Sequence, residues 1–411
     1  MDPVAATKGN NTEAQNKLYE TIIEDGIITR IASVATAFPD SVYTQQEVKE
    51  MLAVENKTVH KLLNAPHIET RALYFNKKTD SEGNITPLDY ETQEDLHAKF
   101  INGLEQTGVQ CAKNAIAEAQ LTIEDIDVII GVTSSGLALP GFSGILTRDL
   151  QARTDIHRFD IVGMGCCAGM SGFRSAYQTV RELSRRTNRP IRGLMVCCEI
   201  NSAIYINNEE TGVGIVNSLF GDGAAALIID SRKNTEHPLS LPAPSTNEKM
   251  PSVAMVDFEL VTITEFFDDM IYRMDSDQQK LNFKLSKKIP FVVGDAAPKL
   301  VKKLLDRNEI PPSAVRHWSV HTGGAKVIEG FAKGLGLDEE VDMIHTKTVL
   351  RDYGNISSGS FIVSFQRLVE MSNENSTEER HSINQGDIMV FVAMGPGATI
   401  EAGIGIATKG C

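Results

Sequence analysis

Three pairs of short glycine-bearing landmarks recur along this chain at nearly constant separation, and that recurrence constrains the fold more than any single residue does. The apolar run Asp127-Val128-Ile129-Ile130-Gly131-Val132 ends at Thr133-Ser134-Ser135-Gly136; Trp318-Ser319-Val320 ends at His321-Thr322-Gly323-Gly324, 188 residues on from Thr133. Gly165-Cys166 and Gly354-Asn355 each lead into small residues able to open a helix, with an offset of 189. Phe220-Gly221-Asp222-Gly223 and Met394-Gly395-Pro396-Gly397 each read as a Gly-x-Gly turn feeding a buried strand, at an offset of 174. The shorter third offset places extra residues in the first half, around Arg185 to Val213. Two similar halves with alternating helices and β-rich apolar strands argue for an α/β architecture of layered sheets and helices. The expected organisation is a polar N-terminal extension (1–27), a first half (28–240) and a second half (241–411), divided in the polar, proline-bearing stretch Ser231 to Pro251. Apolar spacing predicts helices over Leu104 to Gln120 and over Ala296 to Leu305, the latter with Pro298 in its first turn, where a missing N–H matters little.

Composition excludes several classes. With 411 residues and 42% apolar content, the chain can bury two domains' worth of core or one large duplicated unit. Met1 to Glu24 is polar and lacks the apolar segment of a secretory signal. No apolar run approaches the ~18 residues of a membrane span. Four of the six cysteines form the adjacent pairs Cys166-Cys167 and Cys197-Cys198, poor disulfide architecture that points to a reducing compartment, with cytoplasm as the expectation. A net charge of −14 speaks against nucleic acid and against broad docking of an acidic carrier protein; a small anion could still meet a local basic patch.

Three motifs carry chemistry: Gly165-Cys166-Cys167-Ala168-Gly169, His321-Thr322-Gly323-Gly324 and Gly354-Asn355-Ile356-Ser357-Ser358. A cysteine is a nucleophile as thiolate, and a helix N-terminus or a nearby imidazolium lowers its pKa from about 8.5. Cys166 has such a setting in sequence, between a Gly-Met-Gly turn and a small-residue helix start. His321 and Asn355 can each donate to a developing oxyanion, where a single donor contributes about 3 kcal/mol to transition-state stabilisation. Taken singly, each also fits a structural reading: a buried cysteine, a strand-end histidine, a turn asparagine. His317 and His321 have a metal-ligand spacing for a helix, but Trp318-Ser319-Val320 reads as strand, so no metal is expected.

Together with Thr133 to Gly141, Cys198-Glu199-Ile200, Phe220 to Ala226 and Gly395-Pro396-Gly397, these motifs stand in the order of the type III polyketide synthases, and from about Ile28 onward the chain resembles that chalcone-synthase-like branch of the thiolase superfamily. The resemblance implies a homodimer with the duplicated thiolase-like five-layer α-β-α-β-α fold and a triad of Cys166, His321 and Asn355. It also implies that Phe220 and Phe283 flank the passage between a coenzyme A tunnel and an inner cavity, with Ser134, Ser357 and Pro396 at the substrate and Leu139 reaching into the neighbouring subunit. Acyl-CoA and malonyl-CoA would be the substrates, with no separate cofactor. Gly163-Met164-Gly165-Cys166 and His67-Ile68-Glu69-Thr70-Arg71 resemble most the bacterial members that make resorcinol-type products such as 3,5-dihydroxyphenylacetyl-CoA.

Departures from the plant pattern matter. Of the basic residues expected to hold coenzyme A phosphates only Lys61 is matched, another expected lysine falls near Ala65, and Lys326 is an alternative phosphate ligand. Asn201 and Ile204 stand where threonines are usual, so a plant-type starter is not implied. Gly-Cys-x-Ala-Gly places the nucleophile at Cys166, whereas the Cys-Ala-Gly of initiating ketoacyl synthases would place it at Cys167. A single-condensation enzyme of the ketoacyl-synthase or hydroxymethylglutaryl-CoA-synthase kind, and a non-catalytic acyl-CoA-binding subunit, are the rival readings.

Overall fold

The computed structural model describes residues 3–408 except 25, 65–66, 207–209, 234–251 and 375–380. The boundary expected at 240/241 and the lysine position near Ala65 lie outside the described residues. In chain order the strands are β1 (Ile27–Ala37), β2 (Val42–Thr44), β3 (Thr70–Ala72), β4 (Val128–Val132), β5 (His157–Ile161), β6 (Ile191–Glu199), β7 (Gly223–Lys233), β8 (Val253–Thr262), β9 (Met270–Asp275), β10 (Lys280–Leu285), β11 (Val315–Val320), β12 (Ile388–Gly395) and β13 (Thr399–Ala407).

Nine of them form one sheet in the order β11-β12-β13-β8-β1-β7-β6-β4-β5. Outward from the β1/β8 seam, the series β1-β7-β6-β4 mirrors β8-β13-β12-β11. Pairing sense repeats too: antiparallel, antiparallel, then parallel on both sides. The recurring landmarks of the sequence thus mark equivalent places in two copies of one unit. The seam consists of two residue pairs, Arg30↔Ala254 and Ile31↔Val253, and β5 has no counterpart in the second half among the described residues. The extra residues of the first half lie between β6 and β7, where the helix Thr211–Leu219 sits; β12 runs almost directly into β13.

Because side chains alternate across a strand, one strand feeds two cores. In β7, Ala225, Leu227 and Ile229 join the central core with Phe173 and Phe361, while Ala224, Ala226 and Ile228 join an outer core with Phe100 and Phe142. In β12, Met389, Phe391 and Ala393 face the central core, while Val390 and Val392 pack with Leu300 and Phe331 on the opposite outer side. The result is five layers: outer helices Gln93–Gly103, Val109–Glu118 and Phe142–Asp149; a half-sheet; central helices Ala168–Thr187 and Ser360–Asn373; the second half-sheet; and outer helices Ile289–Arg307 and Ala325–Leu335. Both central helices begin just after a motif residue, Cys166 or Asn355, so the layering brings the two motifs together.

Two helix boundaries differ from expectation. The predicted Leu104 to Gln120 helix continues Gln93–Gly103 through a π-turn at Leu104–Gly108. The second helix starts at Ile289, with Pro290 in its first turn and Pro298 in its interior. Its β-branched opening hides the start, and Pro298 fits because its ring packs on Gly334, where a Cβ would lie 2.4 Å from Pro298 Cγ. The polar N-terminal segment is a helix, Pro3–Glu24, that buries Leu18, Tyr19 and Ile22. Among the described residues no helix is long and apolar enough to cross a membrane.

Candidate active site

Cys166 sits in a 3-10 turn, Gly165–Cys167, that runs into the helix Ala168–Thr187. Gly165 has φ +53°, and a Cβ there would lie 2.3 Å from Pro396 Cδ, so the turn that presents the thiol requires glycine. His321 follows the end of β11, its N–H donating to Val392 O at 2.9 Å. Asn355 follows Gly354, whose φ of +71° ends the helix Ile344–Tyr353. Its backbone is stitched to the Phe220 turn: Asn355 N donates to Leu219 O at 2.9 Å and Gly221 N to Asn355 O at 3.0 Å. Asn355 Oδ1 accepts from Ser357 N at 2.8 Å and Ser360 Oγ at 3.2 Å, which leaves the amide nitrogen as the group facing Cys166. Ser357, at φ +46°, holds a conformation that side chains disfavour and directs its hydroxyl to the Cys166 thiol.

Two cavities meet at these residues. A small one, about 30 Å³, is lined by Cys166, His321, Asn355, Phe220 and Met270 among others. A larger one, about 630 Å³, is lined by Cys166, Phe220, Phe283, Ser134, Ser357, Pro396, Asn201, Ile204 and Tyr272 within a mostly apolar wall. Cys166, Phe220 and Met270 belong to both. Phe220 and Phe283 meet edge to face with ring centroids 5.8 Å apart. Cys167, in contrast, is fully buried, lines neither cavity and turns its sulfur toward Ala393 O.

Burial dominates the electrostatics. It pushes the Cys166 thiol up to about 12, with Glu199 adding to the rise and the hydrogen bonds from Ser357 and Asn355 opposing it. Burial alone brings His321 down to about 3. Dehydration of the sulfur thus works against the lowered thiol pKa expected from the helix start, and burial favours a neutral thiol beside a neutral imidazole. His321 Nδ1 has no hydrogen-bond partner among the described residues. Behind the thiol, the buried Glu199 carboxylate accepts from Ser134 N at 2.9 Å and from Ser358 Oγ, and burial raises its pKa. Ser134 Oγ donates to Gly165 O at 3.2 Å.

The remaining expected residues lie elsewhere. Lys61 is exposed at the end of the helix Lys57–Leu63 and lines neither central cavity. Lys326 lines a separate pocket of about 410 Å³ with His67, Lys347 and Arg351, and its Nζ pairs with Glu329 at 2.7 Å. Leu139 is wholly exposed and lines neither of the two central cavities. His317 sits within strand β11 and pairs with Asp387 at 3.1 Å, apart from His321.

Family models for chalcone and stilbene synthases match residues 18–233 with the N-terminal domain and 268–406 with the C-terminal domain. The chain belongs to the chalcone and stilbene synthase family. As a type III polyketide synthase it is an enzyme of acyl transfer. It is 35% identical to a 3,5-dihydroxyphenylacetyl-CoA synthase of Amycolatopsis balhimycina over 91% of this chain and 92% of that protein. The fold matches the 1,3,6,8-tetrahydroxynaphthalene synthase of Streptomyces coelicolor with a TM-score of 0.75 at 21% identity, covering 92% of this chain and 99% of that one. It matches CsyB, solved with CoA-SH, with a TM-score of 0.77 at 22% identity, covering 92% and 100%.

Sequence reasoning assigns no role to Glu199, Met270 or Tyr272. Glu199 had one visible signal, a lone carboxylate closing the apolar run of β6. Met270 and Tyr272 had none, because the hairpin of β9 and β10 reaches the thiol only through tertiary packing.

Proposed function

We propose that this synthase condenses malonyl-CoA units onto an acyl chain held on Cys166, with His321 and Asn355 stabilising the enolate released by decarboxylation. The observation that carries the reading is the meeting of a thiol, an imidazole and a carboxamide at the junction of two cavities. In the small cavity, proton transfer from the buried thiol to His321 would create the thiolate as an acyl-CoA arrives; the protonated imidazole and the Asn355 amide then face the thioester oxygen. Loss of carbon dioxide from malonyl-CoA leaves its electron pair on the α-carbon, and that carbon attacks the Cys166 thioester and expels the thiolate. The freed Cys166 thiolate then attacks the thioester of the lengthened chain and expels coenzyme A thiolate, as it does when the first acyl group is loaded, and the chain extends into the larger, apolar cavity. Coenzyme A carries the substrates, and the chemistry calls for no metal or redox cofactor.

The relationship to 3,5-dihydroxyphenylacetyl-CoA synthases favours a resorcinol-type product from malonyl-CoA. A homodimer is favoured by edge strand β5 and by a strip of exposed apolar residues near it, Leu137, Leu139 and Val162. On this reading Leu139 enters the partner's cavity, and the halves 28–240 and 241–411 contribute Cys166 and the His321/Asn355 pair respectively. Lys326 and Lys61 are candidates for the coenzyme A phosphates.

The test is mass spectrometry of products from malonyl-CoA, alone and with a panel of acyl-CoA starters, for the parent, Cys166→Ala and Cys167→Ala. A multi-malonate aromatic or pyrone lost only in Cys166→Ala supports the proposal. A single-extension product, or loss only in Cys167→Ala, points to a ketoacyl-synthase-like reaction instead.

A further inference from the structure

The β9/β10 hairpin carries a side chain to which the reaction above gives no task. Tyr272 lies directly opposite Phe283 in the hairpin register, with ring centroids 5.2 Å apart, and lines the 630 Å³ cavity beside Cys166. Its hydroxyl donates to the backbone carbonyl of Ser134. Ser134 is itself anchored, N–H to Glu199 and hydroxyl to the Gly165 carbonyl, so the phenol is aimed at the strap next to the nucleophile. The ring is 41% exposed along the open cavity, but its hydroxyl end is crowded by the wall beside Glu199 and Cys166, which holds the phenol's pKa above its usual value, so the group stays protonated as a donor.

A phenol has one proton to give. Its present acceptor is a loop carbonyl at the cavity wall, and a ketone oxygen of a chain on Cys166 would be chemically equivalent. The surrounding wall is largely hydrocarbon, with Met270, Ile271 and Leu281 contributing, so besides the Thr133 hydroxyl a polar chain carbonyl there finds few side-chain donors. Asn201, also on the wall, already commits its amide to Gly221 O.

We propose that Tyr272 is a specificity-determining residue whose hydroxyl passes its hydrogen bond from the Ser134 carbonyl to a ketone oxygen of the Cys166-bound poly-β-keto chain, holding the chain folded for ring closure. This rests on the polyketide reading above. It predicts that the hydroxyl governs what becomes of the finished chain, while decarboxylation and extension, which depend on Cys166, His321 and Asn355, proceed without it.

The experiment compares the parent with Tyr272→Phe and Tyr272→Ala on malonyl-CoA, following carbon dioxide release and the ratio of carbocyclic product to linear acids and pyrones. In Tyr272→Phe, carbon dioxide release should stay within about twofold of the parent while the ratio falls roughly fivefold, the effect of one neutral hydrogen bond. Tyr272→Ala, which also removes the ring, should lower the ratio at least as far. An unchanged ratio in Tyr272→Phe, or a fall no larger than the fall in carbon dioxide release, overturns the inference and leaves the polyketide reading standing. A parent enzyme that releases no multi-malonate product overturns both.

Discussion

Adding one methyl group at Gly169 should nearly silence the enzyme while barely changing its melting temperature. Gly169 is in the first turn of the helix Ala168–Thr187, and a Cβ there would lie 2.0 Å from Ser358 O and 3.0 Å from the Phe361 ring. Two effects oppose each other. Alanine in a helix gains up to about 1 kcal/mol over glycine. Contact at 2.0 Å with a backbone carbonyl cannot be relieved by a rotamer change, so one backbone must move by about 1 Å, at the upper end of the ~1–3 kcal/mol that overpacking costs. The net loss is about 2 kcal/mol, and for 411 residues unfolding entropy scales to roughly 0.9 kcal/mol per degree, so Tm drops by only about 2 °C. The segment that moves contains Ser357, at the thiol, and Ser358, bound to Glu199. A 1 Å displacement of catalytic groups can cost about 100-fold. Differential scanning fluorimetry and malonyl-CoA condensation rates on Gly169→Ala check both numbers. A variant with a higher Tm than the parent, or with activity within about threefold of it, refutes the reasoning.

Asn355→Ala should lower condensation by about 10²–10³ through loss of one oxyanion donor, measured as kcat with malonyl-CoA. With the thiol at about 12, alkylation of Cys166 by iodoacetamide in the unliganded enzyme should climb about tenfold per pH unit from pH 7 to 9, and a plateau across that range would contradict the neutral resting pair. His321 and His345 are held neutral by burial, near 3 and 4, so each contributes stability that is complete above the unfolded value of 6.5 and is lost as pH falls, by about 1.4 kcal/mol per unit. Buried Glu199 and Asp222, with raised pKa values, act in the opposite sense. The observable is therefore the difference between parent and His345→Gln in urea titrations, which should shrink from pH 6.5 to 4. Leu139→Asp should weaken self-association, read as mass-average molecular weight against concentration by static light scattering, with an unchanged mass distribution counting against the apolar strip as the interface.

Much of the architecture was legible because the duplication places each motif residue at an equivalent position: after a strand for His321, before a central helix for Cys166 and Asn355. Local glycines made those turns visible, since Gly165 and Gly354 hold backbone conformations that favour glycine. What stayed hidden depends on contacts distant in sequence. Tyr272 meets Ser134 across 138 residues, and Ser358 meets Glu199 across 159. The burial around the thiol was hidden for a related reason: a helix start can be seen in a sequence, but the dehydration of a side chain by every layer around it cannot. The first two turns of the helix Ile289–Arg307 were missed because its opening is rich in residues that prefer strands.

The unmatched strand β5 gives the molecule a direction that its duplicated plan otherwise lacks. A sheet with two equivalent open ends could accept a neighbour at each, and such additions propagate into filaments. Here one end is extended by β5 beside the exposed apolar strip, while the other ends at β11. On the homodimer reading, self-pairing across β5 would consume the compatible edge of both copies at once and stop assembly at two, so a strand present in only one half of a duplicated plan would turn a polymerising surface into a closing one.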